Sequence, residues 1–186
     1  KKKINLSIKT LNNSETITKL SSAYPKPLIK RYDFIKGFEE GYLDFYSSKK
    51  GDVSNSVLII NDFKVKKVPV FAKLLSLASL QGIADLLTGE GIRFTNFEMN
   101  FSNQKGLTTI NEMYAIGPAV SILMDGYIET KKLVSLRGTL VPATTINRSI
   151  ASIPVLGKIL IGDKTGEGVF GVSFKIKGPP KDLKTK

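Results

Sequence analysis

The sequence predicts a mainly β protein of the α+β class, in which an antiparallel meander forms most of the chain and two or three short helices accompany it. Apolar and polar residues alternate with a period of two in several segments. The clearest of these lies near the end of the sequence, where Phe170, Val172, Phe174 and Ile176 share one side. Short turns such as Gly117-Pro118 separate successive strand-like segments, and only antiparallel strands can be joined so closely.

The composition excludes several kinds of site. The chain has 186 residues, 41% of them hydrophobic, which is enough to bury the core of one medium domain or two small ones. It contains no Cys, His or Trp, which excludes a thiol nucleophile, an imidazole base, a Ser-His-Asp triad and a zinc site of the usual ligands. No run of about 18 apolar residues is available to span a bilayer. We expect no enzymatic activity, no catalytic residues, no cofactor and no metal.

The net charge of +12 at pH 7 permits three classes of partner: nucleic acid, an anionic membrane surface or an acidic protein. The lysines are spread along strands and turns, and no aromatic-rich RNA-binding signature lies among them. This distribution favours a solvated outer face over a dedicated polyanion site, and it disfavours nucleic acid.

The N-terminal part predicts a strand, a helix and a linker. Residues 3–10 alternate and predict a strand, with one side formed by Ile4, Leu6 and Ile8. Asn13-Ser14-Glu15 is typical of a helix start, and Ile17 and Leu20 would form the apolar stripe of that helix. Pro25-Lys26-Pro27 predicts an extended linker. The chain opens on Lys1-Lys2-Lys3 without an initiator Met, which we interpret as a fragment of a longer protein.

Two strands and a helical region follow. Strands are predicted over 41–48 and 56–66, separated by a turn at 49–52; the second strand has Val57, Ile59, Phe63 and Val65 in phase. Pro69 predicts the start of a Leu- and Ala-rich helix that extends to Leu80, because Pro is preferred in a first helical turn. Gly82 is expected to end that helix, and a second short helical segment reaches Leu87.

The remaining chain predicts a series of strands interrupted by one helix. In the strand that begins at Ile92, the apolar residues change phase after Phe94, and a bulge at Thr95-Asn96 would reconcile the two sets. A hairpin turn is predicted at 103–106. Further strands are predicted over 107–116, 119–130 and 133–141, followed by a helix over 142–150, a Gly-rich loop and the final strand.

Two regions, about 69–101 and 142–177, share an order of features that predicts an internal helix-strand repeat. Pro69 and Pro142 each precede a predicted helix. Each region then passes through Gly-Glu-Gly, at 89–91 and 166–168, into a strand with an early Phe. Chance similarity of Gly-rich turns is the competing explanation. Pro69 and Pro142 are 73 residues apart, as are Gly89 and Gly162, and this matched spacing favours a true repeat although the second Gly-Glu-Gly comes four residues later.

Two segments are candidates for binding sites. The Gly-rich segment 162–168 lacks the GxxxxGK[ST] order of a phosphate-binding loop and precedes a strand, so we interpret it as a turn. Asp33, Glu39, Glu40 and Asp44 form an acidic cluster without EF-hand spacing, which favours a solvated surface over a calcium site. The apolar faces of the strands are then the remaining candidates. They are either closed core or an open surface for acyl chains or a partner, and periodicity does not separate these alternatives.

Several ordered motifs resemble the AsmA-like family of bacterial proteins, the group of AsmA, TamB and YhdP. The resemblance covers roughly residues 50 to 180 and is carried by these segments: 68–70, 74–80, 82–94, Gly138-Thr139-Leu140-Val141-Pro142, Ile146-Asn147, Ile153-Pro154-Val155-Leu156-Gly157, Leu160 with Gly162, 166–170 and Lys177-Gly178-Pro179. After this last motif such proteins usually continue with Asp-Pro, whereas this chain has Pro180-Lys181-Asp182.

The resemblance implies a bridge-like lipid transfer protein, with a curved antiparallel sheet that forms an open, taco-like groove. It implies that residues 1–50 continue a longer β-groove and that 51–186 form an AsmA-like C-terminal domain. The helices over 69–80 and 142–150 would cap or plug the groove. The residues expected to line it are Val120, Ile122, Met124, Val134, Leu136, Phe170, Val172, Phe174 and Ile176.

The resemblance also implies a place and partners. The chain would be the periplasmic part of a protein anchored in the bacterial inner membrane by a helix outside this sequence. Its partners would be phospholipid acyl chains, with an anionic membrane surface facing the basic side or an envelope protein as further candidates. Its role would be phospholipid transport to the outer membrane.

The alternative is a structural or assembly domain that docks a partner protein in outer-membrane biogenesis. Asp in place of Val172 or Phe174 would abolish lipid conduction in an open groove and unfold a closed core.

Overall fold

The computed structural model describes residues 3–11, 14–30, 37–77, 80–142 and 171–186. In this part of the chain, ten strands form one antiparallel sheet in which each strand pairs with its sequence neighbours, and the sheet is not closed into a barrel. The prediction of a mainly β meander with two or three short helices is therefore confirmed. The elements are β1 (Ile4–Leu11), β2 (Glu15–Ser22), α1 (Lys26–Ile29), β3 (Gly37–Lys50), β4 (Val53–Lys66), α2 (Pro69–Leu77), α3 (Gln81–Thr88), β5 (Ile92–Gln104), β6 (Leu107–Ile116), β7 (Val120–Glu129), β8 (Leu133–Pro142), β9 (Val172–Gly178) and β10 (Lys184–Thr185).

The core lies between the helices and one end of the sheet. Leu74 and Leu75 of α2 and Ala84 of α3 are buried in one cluster with apolar residues of β3 to β9. The ring of Phe71 in α2 lies 6.4 Å from that of Phe94 in β5, measured between centroids. At this end the β2–β3 and β4–β5 connections include the helices, whereas the opposite end is formed by tight turns such as Lys105-Gly106.

The position of α2 shows that the sheet is curved. Its Phe71 packs on β5, and the same helix also contacts β10. In a flat sheet β5 and β10 would be about 24 Å apart, since neighbouring strands are about 4.8 Å apart. A nine-residue helix is only about 13.5 Å long. The strands from β5 to β10 therefore curve around α2, with their apolar side inward.

An interruption runs across β3, β4 and β5 and brings two sets of apolar residues onto one face. Gly41, Asp62 and Thr95 lie side by side and are absent from the ladders on either side of them. Gly41 and Asp62 have positive φ values of 91° and 52°. The phase therefore changes in neighbouring strands at the same level, which lets Phe63 stack on Phe94 and pack edge-on against Phe97. The sequence located the change of phase in β5 correctly, but the bulge predicted at Thr95-Asn96 is wrong, because β4 and β5 keep the same register on both sides of Asp62 and Thr95.

The predicted helix that starts at 13–15 is wrong, because residues Glu15–Ser22 form β2. Ser14 has a φ of 71°, so it is a turn residue and not a helix cap. Thr16, Ile17 and Thr18 are β-branched and favour a strand, and β2 hydrogen-bonds to β1 and β3 along its whole length. These long-range ladders outweigh a local capping signal.

Three further expectations need correction. The linker predicted at Pro25-Lys26-Pro27 enters the short helix α1, whose early Pro suits a first turn. In β4 the residues facing the core are Ile60, Phe63 and Val65, whereas Val57 and Ile59 face the other side because the phase changes at Asp62. Gly82 lies inside α3 and does not end the preceding helix, for α2 already ends at Leu77.

The second half of the proposed repeat is described only in part. Pro142 is the last residue of β8 rather than the start of a helix. Residues 143–150 of the predicted helix, the loop 162–168 and Phe170 lie outside the described residues. Strand β10 was not predicted, because a two-residue strand carries no periodicity.

Candidate functional site

One face of the sheet is apolar across nearly its entire width, and we call it the apolar face. It is built from rows of directly paired residues that cross the sheet from strand to strand. The central row is Leu6, Leu20, Phe45, Leu58, Met99, Met113, Met124, Gly138 and Phe174. The row beside it is Ile4, Ser22, Leu43, Ile60, Phe97, Ala115, Ile122, Leu140 and Val172. Residues paired across antiparallel strands point to the same side, so these rows form a continuous apolar surface.

A bulge keeps the apolar face continuous through β6. Asn111 has no partner in either ladder, so Ile110 and Met113 both lie on the apolar side although they are an odd number of residues apart. Ile110 pairs with Phe101, and Met113 pairs with Met99. Without the extra residue, one of these two side chains would face the polar side.

The apolar face has a covered part and an open part. The described helices make their main contacts with β3, β4, β5 and β10. On β1, the side chains of Ile4, Leu6 and Ile8 are 49%, 59% and 61% exposed. Such exposure of three successive apolar side chains is unusual for a solvated surface, and it indicates a site for an apolar ligand or partner.

The tight-turn end of the apolar face has a polar margin. Ser47 and Ser56 are buried on neighbouring strands, and the Ser56 hydroxyl donates to Ser47 Oγ at 2.9 Å. The Asn103 amide donates to Thr108 Oγ1 at 2.7 Å. These bonds satisfy the polar side chains beside the apolar rows, so these side chains can lie partly buried at the margin without losing hydrogen bonds.

The residues that the sequence predicted as groove lining share this face where the structure describes them. Ile122, Met124, Leu136 and Val172 are partly exposed. Val120, Phe174 and Ile176 are buried in the core cluster under the helices, and Val134 is also buried. Phe170 lies outside the described residues. The most exposed apolar residues of this face are on β1. The sequence predicted their alternation but did not predict that they line the groove.

The other face of the sheet is polar and carries ion pairs. Lys66 Nζ lies 3.2 Å from Glu39 Oε2, and Arg93 Nη2 lies 2.8 Å from Glu40 Oε2. The hydrogen bond from Lys66, with the charge of that lysine, lowers the pKa of Glu39. Two members of the acidic cluster are thus paired with cations, while Asp33 lies outside the described residues. Within the residues described, no group of His, Cys, Asp and Glu could hold a metal ion.

A partly buried phenol is the most perturbed titratable group on the polar face. The Tyr114 hydroxyl donates to Glu98 Oε2 at 2.6 Å, and the Asn100 amide donates to Glu98 Oε1 at 3.0 Å. Burial of the phenol raises the pKa of Tyr114 to about 12, and the hydrogen bond to Glu98 acts in the same direction. A tyrosine with this pKa stays protonated, which suits a structural hydrogen bond better than proton transfer.

Comparison with known families, curated proteins and solved structures finds no match for this chain. Membership of the AsmA-like family therefore stays a prediction from the sequence motifs. None of the described helices is long and apolar enough to cross a membrane.

Proposed function

We propose that this chain is a non-enzymatic lipid-binding segment that holds phospholipid acyl chains against its apolar face. The observation that carries the proposal is the exposure of Ile4, Leu6 and Ile8 at the open edge of a continuous apolar surface. Acyl chains are flexible and uniformly apolar, so they require apolar area and no particular arrangement of polar groups. The open sheet offers such area without enclosing it.

The wider role that we propose follows the AsmA-like resemblance. The chain would be a periplasmic segment of a protein anchored in the bacterial inner membrane, and it would contribute to phospholipid transport to the outer membrane and to its maintenance. The curved sheet and the absence of closure are compatible with a groove through which a lipid slides. The lipid headgroup would remain in water while its chains follow the apolar rows.

Lipid retention by the purified chain tests the proposal. We expect native mass spectrometry after gentle extraction, or after incubation with phospholipid vesicles, to show phospholipid bound to the wild-type chain. Leu6→Asp should lower the retained lipid by about tenfold or more, because an unpaired carboxylate is costly to place against acyl chains. Phe174→Asp is unsuitable as a probe, for Phe174 is buried and its replacement should unfold the protein.

Ser7→Asp is the matched control, since Ser7 is exposed on the same strand and points to the opposite face. It introduces the same charge one residue away and should retain lipid like the wild type. Circular dichroism would show that both variants fold. Absence of lipid from the wild-type chain, or equal loss in both variants, would contradict the proposal.

The open edge of β1 favours a second candidate, an assembly domain that docks an envelope protein. Among the described strands β1 pairs only with β2, so its outer edge could accept an added strand, and its apolar residues would pack beside that strand. A wild-type chain that takes up no phospholipid, but whose β1 amides become protected from hydrogen exchange when an envelope protein binds, would favour this alternative.

A further inference from the structure

Four lysines form a compact block on the polar face at the β10 edge of the sheet. Lys184 pairs with Lys177 across β9 and β10. Lys175 and Lys186 exchange backbone hydrogen bonds of 2.8 and 3.0 Å, so they also lie opposite each other. All four side chains are exposed. Paired residues have Cβ atoms about 5 Å apart, and residues two apart on a strand are separated by about 7 Å.

The surroundings add positive charge to this lysine block. Arg137 on β8 pairs directly with Lys175. The nearby Asp125 carboxylate is engaged by Arg137, whose Nε lies 2.8 Å from Asp125 Oδ1. Across the described ranges, no carboxylate forms an ion pair with any of the four lysines. The opposite side of these strands, with Phe174 and Ile176, is buried in the core.

Like charges placed directly opposite each other destabilise a sheet. Two such pairs side by side therefore need an explanation. Lysines on an edge strand also discourage pairing with other molecules, and Lys184 and Lys186 could serve this purpose. Lys175 and Lys177 are on β9, which is not an edge strand because it lies between β8 and β10 in the sheet. Edge protection therefore does not account for these two lysines.

We propose that the lysine block is a docking surface for an anionic phospholipid membrane. Its charges are compact ammonium groups on long, flexible stems, which can adapt to a plane of anionic headgroups. On this face β8 to β10 carry no aromatic side chain, and Tyr127 on β7 lies two strands from Lys177, so none of the described rings lies beside the lysines for a base to stack on. Docking here requires no acyl chain on the apolar face, so this inference and the proposed function can fail separately.

Vesicle flotation of the wild-type chain tests the inference. We expect binding to vesicles of phosphatidylglycerol and phosphatidylcholine in equal parts, no binding to phosphatidylcholine alone, and weakening with added salt. The double variant Lys177→Gln with Lys184→Gln should bind the anionic vesicles about twenty-five-fold more weakly, or about fivefold per lysine. Both sites are exposed, and each loses a like-charged neighbour, so the variant should remain folded.

Lys3→Gln with Lys9→Gln provides the matched control. It removes the same charge from exposed positions at the opposite edge of the sheet, on or beside β1, and should bind like the wild type. Equal weakening by both double variants would overturn the proposal in favour of net charge alone. Failure to bind anionic vesicles, with binding to duplex DNA or an acidic protein, would also overturn it. Unchanged vesicle binding in the block variant, accompanied by self-association, would identify the lysines as edge protection only.

Discussion

At the scale of single residues, Tyr114 is the group whose ionisation should affect stability. Burial and the hydrogen bond to Glu98 raise its pKa to about 12 from the ordinary value of 10.0. Above pH 10 the unfolded chain loses this proton first, so the folded state holds more protons and the free energy of unfolding falls as pH rises. The contribution is fully present below pH 10 and is lost between about pH 10 and pH 12.

The comparison with Tyr114→Phe isolates this effect from the titration of lysines. We expect the free energy of unfolding of the wild type, measured by urea denaturation, to fall more steeply above pH 10 than that of Tyr114→Phe. Parallel pH profiles for the two proteins would show that Tyr114 titrates alike in the folded and unfolded states.

At the scale of secondary-structure elements, Gly126 holds β7 close to β8. Its φ is 141°, and a Cβ added there would collide with the carbonyl oxygen of Ser135. Gly126→Ala should therefore lower the free energy of unfolding by about 1–3 kcal/mol or more, since both the backbone conformation and the contact are unfavourable to a side chain. Gly82→Ala is the control, for Gly82 lies in α3 with no atom within 4 Å of an added Cβ. It should stabilise the protein by about 0.5 kcal/mol, and urea denaturation of both variants gives the two values. Similar effects of the two changes would contradict the close approach at Gly126.

The elements also show which features can be predicted from sequence. Period-two alternation identifies β7, β8 and β9 well, because each has one apolar side along its length. It fails at β2, where a local Asn-Ser-Glu signal competes with pairing to two distant strands. It also fails at Val57 and Ile59, because the change of phase at Asp62 depends on Gly41 and Thr95 in neighbouring strands. Local patterns thus give strands, whereas register and interruptions depend on partners.

The candidate site was predictable to the same extent. The predicted residues of β7, β8 and β9 share the apolar face because alternation assigns them to one side. Which of these residues belong to the core depends on where α2 packs, and no local sequence pattern predicts that position. Phe174 and Ile176 are buried in one cluster with Leu74 and Leu75 of α2, whereas Leu6 and Ile8 on β1 remain open. The lysine block was likewise hidden, because β10 is too short to be recognised before its pairing with β9 is known.

At the scale of the whole molecule, α2 links distant parts of the sheet, and its removal from the core should loosen both. Phe71 is buried against Phe94 of β5, and the same helix contacts β10. Phe71→Ala should lower the free energy of unfolding by about 3–5 kcal/mol through the lost contacts and the cavity. Lys73→Ala, at an exposed position of α2, should change the free energy of unfolding by no more than about 0.5 kcal/mol.

The more specific expectation concerns hydrogen exchange. If α2 maintains the curvature, the amides of Lys175 and Lys186, which join β9 to β10, should exchange faster in Phe71→Ala relative to wild type. Amides in the ladder between β1 and β2 should change less, because these strands lie far from α2. A fall in stability with no selective effect at β10 would mean that the sheet holds its curvature without the helix.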